Sequence, residues 1–156
     1  MPATKTPTKR SDENVFSKEE RAAVAAAARE RKAAAGRSPE QEREAGLQDL
    51  KASLAKMPAD DRAMGERLHE IVSAAAPSLM PKTYYGMPAY AMPGKDGKTI
   101  CFYKAKSKFK VRYSTFGFQP DARLDDGKMW PTEFAVIELT PDVERRLADL
   151  VKQAAG

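Results

Sequence analysis

At Pro81 the hydrophobic period of the chain changes from that of helices to that of strands, and this limits the folds available to it. Before that point the sequence is alanine-rich and punctuated by helix starts. After it comes Tyr84-Tyr85-Gly86-Met87-Pro88-Ala89-Tyr90, followed by aromatic segments of alternating or continuous apolar character. Helices, then antiparallel strands, then one last helix predict an α+β fold.

Ser17, with Glu20 three residues on, reads as a capping box, so a helix should start there, run through nine alanines between Ala22 and Ala35, and stop near Gly36. Its larger apolar side chains are Val24 and, just before the start, Phe16, which predicts an exposed arm. Ser38, Pro39 and Gln41 start a second helix with Leu47, Leu50, Leu54 and Met57 in a narrow stripe, ended by Met57-Pro58. A third begins at Asp60 or Asp61 and places Met64, Leu68, Ile71, Val72 and Ala75 on one face, toward the core. Thr140-Pro141 opens the last helix, with Val143, Leu147, Leu150 and Val151 inward. The organisation expected is a disordered tail over 1–16, a two-helix arm over 17–57, and an α+β domain over 58–156 with an antiparallel curved sheet packed by helices.

Among the strands, Gly94 to Gly97 should turn a hairpin between the Tyr84 to Met92 segment and Lys98 to Lys104. Phe109, Val111 and Tyr113 alternate with Lys108, Lys110 and Arg112, predicting a strand with one apolar and one cationic face. Phe134 to Ile137 has no polar alternate, predicting a central strand covered on both faces.

Among 156 residues, 27 lysines and arginines stand against 22 aspartates and glutamates, a net charge of +5. The excess is thinly spread, so charge alone supports nucleic acid only weakly as a partner. No apolar run approaches the roughly 20 residues of a membrane span, and no secretory signal opens the chain, so no membrane partner and a cytoplasmic location are expected. One cysteine, Cys101, excludes an internal disulfide.

Familiar chemistries each lack a partner. Gly94-Lys95-Asp96-Gly97-Lys98-Thr99 resembles the end of a phosphate-binding loop, but Met92 stands where the first glycine belongs and a strand follows. Glu66 and His69 share a helix face, yet His69 is the only histidine. Cys101 as a nucleophile would need His69 as its base, and without other histidines a hydrolase triad is unsupported. Asp121, Asp125, Asp126 and Glu133 offer oxygen ligands for a metal without a calcium-loop spacing. A basic run with neighbouring aromatics has the composition of a single-strand nucleic-acid surface, although alternation sends rings and charges to opposite faces.

From about Asp49 to Gly156 the chain resembles the YdhG-like family, on Tyr85-Gly86-Met87-Pro88-Ala89-Tyr90, Gly97-Lys98, Cys101-Phe102-Tyr103, Lys108 and the closing helix. Family members often carry a histidine after that lysine, where this chain has Phe109. The resemblance implies a non-enzymatic small domain of unknown function, sometimes described as a frataxin-like iron chaperone, with iron as the cofactor it suggests.

The function expected is therefore a non-catalytic binding protein. Its candidate ligand pocket comprises Tyr84, Tyr85, Met87, Tyr90, Lys108, Lys110, Arg112 and Trp130, with Asp121, Asp125, Asp126 and Glu133 as the candidate metal set. The alternative is a basic module for nucleic acid or an acidic partner. A monomer, or a homodimer through the helical arm, fits either.

Overall fold

The helices that the sequence opens on Ser17, Ser38 and Thr140 start where it places them, because each has a side chain ready for its first free N–H groups. In the computed structural model, which describes residues 17–34, 37–94 and 96–156, the elements are α1 (Lys18–Ala34), α2 (Pro39–Ala55), α3 (Ala59–Ala75), β1 (Met80–Tyr84), β2 (Met87–Ala91), β3 (Thr99–Lys104), α4 (Lys106–Phe109), β4 (Ser114–Phe118), β5 (Glu133–Val136) and α5 (Pro141–Ala155). Ser17 Oγ accepts from Glu20 N–H at 3.1 Å. Ser38 and Gln41 form a reciprocal capping box on α2. Thr140 Oγ1 accepts from Val143 N–H on α5. The predicted tail over 1–16 and the stop at Gly36 lie outside the described residues.

The five strands form one antiparallel sheet in sequence order, β1-β2-β3-β4-β5. Because side chains alternate across a strand, the sheet carries two apolar faces. On the inner face Tyr90, Cys101, Tyr103, Phe116, Phe118 and Val136 meet Leu50 and Leu54 of α2, Leu68, Ile71 and Val72 of α3, and Leu147 and Val151 of α5. Burying each large apolar side chain contributes about 1.5–3 kcal/mol, so this cluster carries most of the fold's stability. On the outer face a smaller cluster joins Met87, Ala89 and Phe102 to Tyr84, Tyr85 and Phe109. The Phe102 ring covers its cross-strand partner Gly117, where a Cβ would stand 2.3 Å from the ring.

Glycine sets two close helix contacts. A Cβ at Gly46 of α2 would lie 2.0 Å from the Pro81 carbonyl oxygen, and one at Gly65 of α3 would lie 2.3 Å from Leu54 Cδ2. The α2 helix is therefore seated on β1 and built into the core, so the arm read over 17–57 is not a free hairpin.

Three further expectations are corrected. Ala23 and Ala27 of α1 are buried, so this helix is not wholly exposed; it lies along the outer side of the sheet, with β1 among its contacts. Residues 108–113 form no strand: α4 ends at Phe109 and is capped by Lys110, whose φ of +54° is left-handed, and Val111 N–H donates back to Lys106 O at 3.0 Å. The β5 strand is an edge rather than a central strand, and Ile137 just after it is 71% exposed.

Candidate functional site around the Tyr85-Gly86 turn

Tyr84 and Met87 are the last paired residues of β1 and β2, leaving Tyr85-Gly86 as a two-residue hairpin loop. Both have positive φ, +50° and +77°, the pattern of a type I′ turn, whose twist matches that of the strands. Glycine accepts this freely; tyrosine does so at a cost. Lys108 Nζ closes over the turn and donates to Tyr85 O at 2.7 Å. The Tyr84 and Tyr85 rings meet edge to face at 4.5 Å, and burial raises the Tyr84 hydroxyl pKa, with Tyr85 adding to it.

The lysine is held there by an anchored α4. Asp61 is buried at the start of α3, and Lys106 Nζ donates to both Asp60 and Asp61, while Ser107 N–H donates to Asp61 Oδ2 at 3.2 Å. Burial pushes the Asp61 carboxyl upward, but Lys106 and Ser107 together hold it below its ordinary value. Tyr103 OH donates to Asp61 O at 2.8 Å, and burial pushes its own pKa up to about 12. At the other end of α4, Lys110 pairs with Glu19 of α1 at 3.2 Å.

Between these elements lies a cavity of about 620 Å³. Ala26 and Arg29 of α1, Asp49, Ala52, Ser53 and Lys56 of α2 and its cap, Met57, Pro58, Thr83, Gly86, Ser107 and Lys108 line it. A second cavity of about 330 Å³ adjoins it along β1, sharing Asp49 and Thr83 and reaching Tyr84 and Tyr85. A shallow groove of about 290 Å³ lies between Ala23 and Val24 of α1 and the outer-face residues Tyr85, Met87, Phe102 and Phe109. All three have α1 as one wall: a helix that buries two alanines there fills little of the space beneath it.

The residues expected to form one pocket are divided. Tyr84, Tyr85, Met87 and Lys108 gather at the turn, Lys108 in the larger cavity and the others on the adjoining walls. Tyr90 points to the inner face, fully packed, with its hydroxyl 2.9 Å from His69 Nδ1. Trp130 packs against the inner core from the loop before β5. Lys110 is tied to Glu19, and Arg112 lies over the Tyr113 ring at 5.1 Å. The basic run therefore makes no continuous cationic face. Sequence reasoning missed Arg29, Asp49, Ala52, Lys56 and Met57; an exposed Arg or Lys on an alanine-rich helix carries no local signal that another element faces it.

Among the described residues, no group of three or more His, Cys, Asp or Glu side chains is placed to hold a metal ion. Asp121, Asp125, Asp126 and Glu133 are all exposed and form no such group. Burial pushes the Cys101 thiol pKa well up, so it is not a ready nucleophile, and His69 is engaged with Tyr90. No described helix is long and apolar enough to cross a membrane.

Compared with protein-family models, with curated proteins and with solved structures, the chain has no match in any of the three.

Proposed function

We propose that this is a non-catalytic binding protein that holds a small molecule in the cavity between α1, α2, α4 and the Tyr85-Gly86 turn. The cavity itself carries the reading: about 620 Å³ falls within the roughly 300–1,000 Å³ typical of small-molecule sites. Its wall mixes apolar surface with a few polar groups from separate elements, the composition that orients a ligand while burying most of it. The Lys106 anchor supports the reading further, because it fixes α4 and thereby places Lys108 at the cavity.

Membership of the YdhG-like family is part of this proposal, since the residues that prompt the resemblance form the turn at the cavity. Iron handling would need a converging donor set beyond what the described residues supply. A nucleic-acid surface would need the basic run to present its charges together, and Lys106 and Lys110 are committed to carboxylates.

Ligand-observed NMR with a panel of small charged and neutral fragments tests the proposal, using Ala52→Trp to fill the cavity from an exposed position on α2. Fragments that bind the natural protein and lose binding in a folded Ala52→Trp variant are expected. No binding fragment, or binding that survives the substitution unchanged, contradicts it.

A further inference from the structure

The class of ligand follows from the charges on the cavity wall, and this inference rests on the reading just given. Three cations line the cavity, each from a different part of the chain: Arg29 on α1, Lys56 at the C-terminal cap of α2, and Lys108 on α4. Among the described residues one carboxylate, Asp49, lines the cavity with them, and it also borders the adjoining cavity, which Arg37, Glu42 and Lys82 line as well. Among the described residues, neither Arg29 nor Lys56 is within ion-pair distance of a carboxylate.

Like charges collected around a concave surface raise the local potential and concentrate counter-ions there. Among the described residues an ammonium ligand would meet three cations for one carboxylate. A neutral ligand would leave Arg29 and Lys56 without a carboxylate among the described residues. The rest of the wall is less polar: Ala26, Ala52, Met57 and Pro58 offer aliphatic surface. The Ser53 hydroxyl donates to Leu50 O at 2.7 Å, so its proton is already engaged.

We infer that the cavity takes a small organic anion, a carboxylate or phosphate ester with a short apolar body. Its charged head is met by Arg29, Lys56 and Lys108, and its body lies on Ala26, Ala52, Met57 and Pro58. Arg suits this task because its planar fork can hold two oxygens of a carboxylate or phosphate at once. Lysine acts as a point charge and accepts either head.

Four probes with the same six-carbon chain separate the possibilities: hexanoate, hexyl phosphate, hexylammonium and hexanol, with inorganic phosphate as a fifth. They are titrated into the full chain while the methyl signals of Ala26, Ala52 and Met57 are followed by NMR. Hexanoate and hexyl phosphate should shift these methyls saturably, with Kd at least about tenfold below those of hexylammonium and hexanol. Arg29→Gln and Lys56→Gln should each weaken the two anions by about threefold or more and leave hexanol unchanged. These two positions carry the test because both side chains are exposed, whereas Lys108→Met also removes the bond to Tyr85 and can disturb the turn.

Hexanol or hexylammonium binding as tightly as the anions overturns the anion assignment and leaves the cavity as a binding site. Inorganic phosphate binding as tightly as hexyl phosphate overturns the apolar body. No methyl shift with any probe up to about 10 mM removes the anion assignment and the binding-protein reading together.

Discussion

Gly86 and Asp61 are the two residues on which the site depends most. Gly86 sits at φ +77°, and a Cβ there would stand 2.7 Å from Lys108 Nζ. Gly86→Ala should lower stability by about 1–2 kcal/mol through the left-handed backbone, and chemical denaturation would measure it. Asp61 sets the acid limit. Its carboxyl is held below its unfolded value, so the stability it contributes is complete above about pH 4 and is lost as pH falls below that toward the folded value. Asp61→Asn should remove this acid-sensitive part, and the difference between the two proteins' Tm values should shrink from pH 6 to pH 3. A constant difference would show that the carboxylate charge is not what matters. Burial lowers the His69 pKa, with Lys51 adding to the effect. His69 should therefore titrate below its ordinary value near 6.5 in an NMR pH series, and stability should begin to fall as pH drops below about 6.5, because the unfolded chain takes up the proton first.

Among the elements, the helices were legible because their signals are local. A serine or threonine cap, a proline in the first turn and a glutamate or glutamine three residues on need no knowledge of the rest of the chain, and α1, α2 and α5 begin on them. The hairpin at Gly94 to Gly97 was legible for the same reason. Residues 108–113 were not. Their lysine-apolar alternation imitates a strand, but the ion pairs of Lys106 with Asp60 and Asp61, distant in sequence, fix a helical turn there instead. The Tyr85-Gly86 turn was also hidden, since tyrosine is a poor marker of a left-handed position and the segment reads as one continuous strand. At β5 an unbroken apolar run suggested burial on both faces, but its place in the sheet was set by the order of pairing. Gly46 gives the element-scale prediction. Gly46→Ala should cost at least about 1–3 kcal/mol, because its methyl would meet the Pro81 backbone rather than a side chain that can move aside, and thermal unfolding would measure the loss.

Across the whole molecule, stability is unevenly distributed. The inner face of the sheet is packed by α2, α3 and α5, whereas α1 covers the outer side with Ala23 and Ala27 and borders three cavities. Hydrogen exchange should therefore be fastest in α1 among the long helices and slowest at β3 and in the middle of α3. A ligand bound beneath α1 should slow α1 selectively. Equal protection across α1 and α3 would contradict this division of the fold. What the sequence could not convey at this scale was the cavity, because Arg29, Lys56 and Lys108 belong to separate elements and meet only when α1 lies back along the sheet.

The central claim is that this meeting point is a ligand site, and intermolecular NOEs from hexyl phosphate test it most directly. Contacts from the terminal methyl of the hexyl chain to Ala26, Ala52 and Met57 are predicted. Contacts to Met87 and Phe102 on the outer groove instead, or none at saturating probe, would contradict the claim.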